Sequence, residues 1–442
     1  MSHAHTSSSP PHIVVVGGGA GGLELATRLG RSLGRKNKAR ITLIDANMTH
    51  IWKPLLHEVA AGSLNSTEDE LNYVAQAKWN HFHFQLGRMC GLDRERREIQ
   101  LEPIADEQGS ELIPSRCISY DYLVIAVGST TNDFNTPGAN AHCLFLDTRT
   151  QAERFHRRLL NQYMKAHARG VDMTPEKINL AIIGAGATGV ELAAELHHAA
   201  RLLSTYGMEG INPEDLNIHL IEASERVLPA LPERISEPVS KILKDLGVRV
   251  ITGSPVAEIT ADALILKNGQ SIPASLKVWA AGIRGPGFLA ELGLSTNRIQ
   301  QIHVHRTLQS VDDPRIFAFG DCAACPMDDS ENSPMVPPRA QAAHQQASLM
   351  FKNFKRLLAD KPLQAFEYRD YGSLISLSSF SAVGNLMGNL TGNVMLEGKL
   401  ARMFYVSLYR LHQMALYGVS RTILLMLSDQ IGRSTEPRLK LH

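Results

Sequence analysis

Two glycine runs, and the acids that follow them, are the residues whose type and spacing speak most directly of chemistry. The first run is Gly17-Gly18-Gly19-Ala20-Gly21-Gly22 and the second is Gly184-Ala185-Gly186-Ala187-Thr188-Gly189. In each run one glycine permits a tight turn, a second lets the backbone approach a pyrophosphate, and a third lets a helix pack closely on a strand. The N–H groups at the start of that helix then hold the phosphates. Asp45 lies 23 residues past Gly22, and Glu222 lies 33 past Gly189. The first spacing is near the ~20 expected of an acid that accepts from ribose hydroxyls, and the second needs an insertion around residues 204–217. A carboxylate there repels a 2′-phosphate, so a non-phosphorylated nicotinamide nucleotide is favoured. Arg226, four residues past Glu222, is the one residue nearby that would soften this preference; taken alone it reads as a solvated charge.

These residues need strands and helices to hold them. Residues 13–16 and 180–183 are short apolar, β-branched runs that lead into the glycines, and residues 23 to about 33 and 190–203 read as helices. Apolar strands end at Asp45 and Glu222, and two more end in small residues at Gly128 and Gly282. The fold expected is α/β, with two Rossmann-like dinucleotide-binding domains. Two dinucleotides on one chain suggest hydride transfer from a nicotinamide to a flavin. After a late strand at residues 315–321 come a Pro-rich loop at 333–338, a helix over 339–358 and strands within 366–397. The last forty residues are helical in pattern. The domains expected are a flexible N-terminus 1–12, a flavin domain 13–150 resumed at 301–375, a nicotinamide domain 151–300 and a C-terminal region 376–442.

Composition removes several alternatives. The chain has 442 residues, enough for two to four domains, and 45 Lys+Arg against 44 Asp+Glu give a net charge of +1. Nothing in that balance gathers nucleic acid, so no nucleic-acid partner is expected. Five cysteines, odd in number and mostly scattered, argue for a reducing compartment. No basic start followed by an apolar run marks an export signal, so the chain is expected to stay in the cytoplasm. No apolar stretch reaches the ~18 residues of a spanning helix; residues 414–427 come nearest and are broken by Arg421. Cys322 and Cys325 form C-x-x-C without a second pair, which favours packing thiols over a metal site.

The acceptor of the electrons is a separate question. Disulfide reductases with this double layout carry a close cysteine pair just after the first unit, whereas residues 49–62 contain none. Dithiol chemistry by that route is ruled out. The stretch from Trp52 to Gly62, both glycine motifs, Gly320-Asp321-Cys322-Ala323, residues 337–345 and the ending Pro437-Arg438-Leu439-Lys440-Leu441-His442 resemble type II NADH dehydrogenase, the single-subunit NADH:quinone oxidoreductase, in its gammaproteobacterial form. The likeness runs from about Ile13 to His442.

The resemblance implies FAD on the N-terminal unit, completed by Asp321, and NADH on the inserted unit. FAD would touch Gly17, Gly19, Gly21, Gly22, Asp45, Lys53, Pro54, Gly128, Asp321, Ala340, Gln341 and Lys399. NADH would touch Gly184, Gly186, Gly189, Glu222 and Gly282. Glu191 would stand beside the nicotinamide and the quinone, although a carboxylate at a helix start must point away from bound phosphate. Gln341 and Gln345, four apart on one helical face among alanines, would polarise quinone carbonyls. His344 between them is a proton relay or, more simply, a structural histidine. Where relatives of the broader fold read Ala-Thr-Gly, this chain has Ala126-Val127-Gly128 and Ala280-Ala281-Gly282, so those glycines are given backbone roles only. The competing readings are a sulfide:quinone or ferredoxin-type reductase on the same fold, and a non-catalytic nucleotide sensor at a membrane.

The C-terminal region carries an amphipathic helical pattern. Leu408, Leu411, Ala415, Val419, Ile423 and Met426 recur at three- and four-residue steps, with Tyr405, Tyr409 and Tyr417 interleaved. Arg402, Arg410, His412, Arg421, Arg433, Arg438 and Lys440 supply positive charge. Such a face suits an interfacial helix that anchors the protein to the cytoplasmic face of the bacterial inner membrane, where a respiratory-chain quinone dissolves. It would also serve a homodimer.

Overall fold

The computed structural model describes residues 9–64, 70–168, 177–205, 216–377, 381–388, 392–397, 410 and 412–435. Two five-stranded parallel sheets share the order of four strands and differ at one edge, where the outer strand comes last in the chain in the first sheet and first in the second. The first runs Ile316–Ala318, Tyr122–Ile125, His12–Val16, Arg40–Asp45, His83–Leu86. The second runs Leu144–Phe145, Leu276–Trp279, Ile178–Ile183, Leu216–Ile221, Arg249–Ile251. Their central strands are almost wholly buried, as parallel strands covered on both faces must be, and this is why they read as unbroken apolar runs. In each sheet the next strand in the chain lies on one side of the glycine-bearing strand and a later one on the other. The order therefore reverses just beyond Val16 and Ile183, and such a switch point opens the crevice in which dinucleotides bind.

The glycine-run helices span Ala20–Ser32 and Ala187–Thr205 and start about three residues before the expected positions. The glycines at the end of each run are already helical, because without a Cβ their backbone can lie on the preceding turn.

The chain divides into two units, one of residues 1–50, 70–130 and 284–369, the other of residues 51–69, 131–283 and 370–442. Motif spacing put the breaks near 150, 300 and 375. Within the second unit, Leu56, Val59, Ala60 and Ala61 share one core with Phe155, Leu180 and Leu196, and this packing assigns the short helix Leu56–Ala61 there. The same unit holds an antiparallel sheet of Gly372–Leu377, Ser381–Gly388 and Gly392–Glu397, within the expected strand region. The helix Ala340–Leu357 of the first unit packs on Ala20–Ser32 through polar contacts. His344 Nδ1 lies 2.6 Å from Glu24 Oε2, and Arg28 Nη1 donates to Ser348 Oγ at 2.6 Å.

The C-terminal segment changes character at Gly418, whose φ of +84° ends one helical stretch before Val419–Thr435 begins. Before it, His412 and Leu416 are buried, and His412 stacks on Trp52 with ring centroids 5.9 Å apart. After it, Val419, Ile423, Leu424, Met426 and Leu427 are exposed, Leu424 at 66%. Of the expected stripe, Val419, Ile423 and Met426 lie bare, Ala415 is half-buried, and Leu408 and Leu411 fall outside the described residues. Arg410 and His412, expected on the basic face, are buried instead, Arg410 donating to Gln413 Oε1 at 2.6 Å. Among the described residues no helix is long and apolar enough to cross a membrane.

Candidate active site

The glycines of the two turns do the same work position by position. Gly17 and Gly184 have φ of +101° and +103°, and their N–H groups donate to Ile44 O at 2.8 Å and Ile221 O at 2.7 Å. A Cβ on Gly22 would overlap the Gly17 carbonyl oxygen, and one on Gly189 the Gly184 carbonyl oxygen. Gly21 is needed separately, because a side chain there would meet the Phe319 ring. Gly19 and Gly186 are different: nothing lies within 4 Å of where their Cβ would be. Open space at the middle glycine, with closed packing on either side, is the shape that a phosphate chain lying on backbone N–H groups requires. Both turns fit a dinucleotide.

The strand-end acids brace these turns. Asp45 Oδ2 accepts from Gly18 N at 2.7 Å, and its Oδ1 accepts from Asn47 N at 2.8 Å and Asn47 Nδ2 at 3.1 Å. Glu222 repeats the pattern, with Oε2 accepting from Ala185 N at 2.8 Å and Oε1 from Ser224 N at 2.9 Å. Asp45 Oδ2 and both Glu222 oxygens keep a further lone pair for a ribose hydroxyl, whereas Asp45 Oδ1 already accepts twice. Burial raises the Asp45 carboxyl from its ordinary value, and the hydrogen bonds from Gly18 and Asn47 oppose that shift.

The late strand contributes a second edge to the first unit. Asp321 Oδ2 accepts from Ser129 Oγ at 2.8 Å, and its carbonyl accepts from Gln301 Nε2 at 2.9 Å. Gly128 and Gly320 have φ of +73° and +74°, so both turns need glycine. Ser129 was not singled out from sequence. It supplies, one residue after Gly128, a hydroxyl of the kind missing at Val127. Cys322 and Cys325 are buried, and burial pushes both thiols up to about 12. Cys322 Sγ donates to Phe319 O at 3.3 Å, the behaviour of a packing thiol.

On the helix Ala340–Leu357 the two glutamines separate. Gln345 Nε2 donates to Arg369 O at 2.8 Å and its Oε1 accepts from Arg369 N at 3.0 Å, so its amide is tied to the backbone of residue 369 through one N–H and its oxygen. Gln341 stands half-buried in the first turn of the same helix. His344, bonded to a buried Glu24 that also accepts from Arg28 Nη1 at 3.0 Å, is structural. Ala343 has a packing reason, because a Cβ on Gly21 would lie 3.2 Å from its carbonyl oxygen and one on Gly320 would lie 3.6 Å from its Cβ.

In the second unit Lys53 opens the short helix Lys53–Leu55, and its Nζ donates to Asp147 Oδ1 at 3.2 Å. Asp147 also accepts from Thr131 N and Oγ1 at 3.0 Å, so Lys53 joins a carboxylate that is already fixed. Pro54 follows inside the same turn, where its missing N–H costs nothing. Gly282 has φ of +67°, and a side chain there would overlap the Phe134 ring. Lys399 lies outside the described residues.

Glu191 points into the protein, as expected of a carboxylate that must avoid phosphate. It is 7% exposed, and its Oε1 accepts from Ser376 N at 3.0 Å. Its Oε2 lies 3.7 Å from Nδ1 of the buried His57. Burial first, then the Glu58 and Glu195 carboxylates, push Glu191 up to about 8, while the Ser376 N–H opposes the shift. Burial lowers His57. Both shifts favour the uncharged forms, a protonated carboxyl beside a neutral imidazole. His57, Glu58 and Glu195 were missed from sequence, although the four-residue step from Glu191 to Glu195 puts both acids on one helical face.

The family model described as pyridine nucleotide-disulphide oxidoreductase matches residues 11–347 of the chain. The chain is 46% identical over 445 aligned residues, 98% of its own length and 100% of the other, to the type II NADH:quinone oxidoreductase of Haemophilus influenzae. A protein of the same name from Staphylococcus aureus is 29% identical over 85% of this chain and 90% of that one. Among solved structures, NDH2 from Plasmodium falciparum in complex with NADH superposes with a TM-score of 0.81 at 18% identity, covering 98% of this chain and 99% of that chain, which shows a shared fold. The two braced glycine turns thus stand in a chain that belongs to the pyridine nucleotide-disulphide oxidoreductase family and, within it, to the type II NADH:quinone oxidoreductases.

Proposed function

We propose that this chain transfers a hydride from NADH to FAD and passes both electrons to a membrane quinone, without pumping protons. The balance is NADH, quinone and one proton in, NAD+ and quinol out. The observation that carries the reading is the doubled turn, in which an open middle glycine is flanked by a backbone-tight one and braced by a strand-end acid. FAD, when bound, supplies an acceptor that takes two electrons together and releases them to a quinone.

The chain's own residues place the reactants and manage the proton. Gly17, Gly19, Gly21, Gly22, Asp45, Gly128 and Asp321, with Ser129 fixing Asp321, hold FAD; Lys53, Pro54, Ala340 and Lys399 border it. Gly184, Gly186, Gly189, Glu222 and Gly282 hold NADH. Gln341 donates to a quinone carbonyl as negative charge grows on it. Gln345 acts through Arg369 as a positioning residue. Glu191, kept protonated by its surroundings, holds a proton on its carboxyl for the quinone. A sulfide-oxidising role loses support, since it needs reactive thiolates and Cys322 and Cys325 are buried and protonated.

Anaerobic addition of NADH to the purified protein is expected to bleach its flavin absorbance, and a soluble ubiquinone analogue to restore it. Flavin left oxidised by NADH overturns the reading. Turnover of no more than a few NADH per flavin with quinone present points instead to a nucleotide sensor.

Docking on the inner surface of the bacterial membrane is supported by the apolar residues of Val419–Thr435. Burying each half-exposed side chain there is worth about 1 kcal/mol. Ile423→Glu with Leu427→Glu should release the protein from sedimenting anionic vesicles while NADH-driven reduction of a hydrophilic acceptor continues. Continued sedimentation would refute the docking role. A fall in mass from dimer to monomer in the same variant would assign the face to a second copy.

A further inference from the structure

Arg226 sits in the loop that leaves the strand Leu216–Ile221, four residues beyond Glu222. That loop is tied at both ends to one residue of the second glycine turn. Ala185 N donates to Glu222 Oε2 at 2.8 Å, and Leu228 N donates to Ala185 O at 2.8 Å. The backbone of Arg226 is therefore held beside the turn that would read the adenosine half of a nicotinamide nucleotide. Its guanidinium is folded back on its own chain. Nη1 donates to Leu228 O at 3.2 Å and to Ser236 Oγ, and Nη2 donates to Pro229 O at 2.8 Å. These acceptors are all neutral oxygens, and among the described residues no carboxylate pairs with the half-buried guanidinium.

A phosphate dianion forms charge-assisted bonds to a guanidinium roughly twice as strong as those made by neutral carbonyls, and it can bind in the bidentate manner. What keeps such a dianion from the ribose position is the Glu222 carboxylate, fixed there by Ala185 and Ser224.

We infer that Arg226 is a latent 2′-phosphate ligand, parked on Leu228, Pro229 and Ser236, and that discrimination between NADH and NADPH is set jointly by the Glu222 carboxylate and by this parking. The inference rests on the reading of the second unit as the NADH site. With Glu222 neutralised, Arg226 leaves its carbonyls and takes the phosphate.

The test is calorimetric binding of adenosine 5′-monophosphate and adenosine 2′,5′-bisphosphate to the full flavin-loaded chain, with kcat/KM for NADH and NADPH as a second readout. Glu222→Gln should gain about tenfold in affinity for the bisphosphate. Adding Arg226→Ala should erase that gain and leave monophosphate affinity within about twofold; adding Ser236→Ala should enlarge it by about threefold. Arg226→Gln, which keeps donors for the same carbonyls but no charge, must show the same loss as Arg226→Ala. A gain that survives both Arg226 substitutions overturns the inference. So does a parallel fall in monophosphate affinity in both, since Arg226 would then only hold the loop. If the unsubstituted protein fails to bind monophosphate and NADH is not displaced by it, the NADH-site reading itself falls, and the inference with it.

Discussion

Gly22→Ala should yield a protein that no longer retains flavin through gel filtration, whereas Gly189→Ala should keep its flavin but not be bleached by NADH. At both positions the new methyl group would overlap a carbonyl oxygen of the same turn, Gly17 O in one case and Gly184 O in the other. Backbone cannot move aside as a flexible side chain does, so each substitution costs about 3 kcal/mol or more locally. The turn opens, and the N–H groups that would hold a pyrophosphate lose their alignment. Gly19→Ala and Gly186→Ala separate shape from stability, since a Cβ there meets nothing within 4 Å. These two should unfold at the same temperature as the parent and still lose the corresponding ligand. A Gly22→Ala protein with full flavin content and unchanged Tm would show that the first turn is not the flavin cradle.

Glu191→Gln is expected to lower quinone-dependent turnover about 100-fold, the usual scale for removing a positioned acid. Anaerobic bleaching by NADH should remain within a few-fold of the parent. The same substitution has a stability signature whose sign follows from protonation. Glu191 titrates at about 8 in the folded protein against an ordinary 4.5, so between those values the native state binds more protons than the unfolded chain. Stability from this group is therefore present below pH 4.5 and is lost as pH rises towards 8. A tenfold change in proton affinity is worth about 1.4 kcal/mol, so the whole window amounts to several kcal/mol. A glutamine there never ionises, so the variant should melt higher than the parent at about pH 9, and the difference should shrink towards zero near pH 4.5. His57 is lowered by burial and acts in the opposite sense below its ordinary 6.5, but it is present in both proteins. A melting difference that does not vary with pH would remove Glu191 from the role of buried acid.

Much of the architecture was legible in the chain because it is local. A β-branched run, a glycine turn, a helix and a strand-end acid follow one another within some forty residues, and each carries its own signal. The doubling at Gly17 and Gly184 showed this twice. The position of Asp45 and Glu222 was readable in the same way, though not their second task of bracing the turn through Gly18 N and Ala185 N.

The proton chemistry was not legible, because it is assembled from distant segments. His57, Glu191 and Ser376 meet only when the short helix Leu56–Ala61 and the strand Gly372–Leu377 pack on the helix Ala187–Thr205. Nothing in the immediate neighbours of Glu191 announces that burial will hold it protonated. Ser129 and Asp321 are likewise 192 residues apart. Gln345 shows the converse. Its spacing from Gln341 is that of a shared face, yet its amide is also tied to the backbone of Arg369, which periodicity cannot foresee.

The sequence by itself determined that the chain carries two Rossmann-like units, each with its glycine turn and strand-end acid, and that the residues after the first turn carry no dithiol, since turns and spacings are set by neighbours along the chain. Only the tertiary structure decided which acid is buried, which amide is tied to the backbone and where the Arg226 guanidinium lies, because desolvation and hydrogen-bond competition depend on what folding brings alongside.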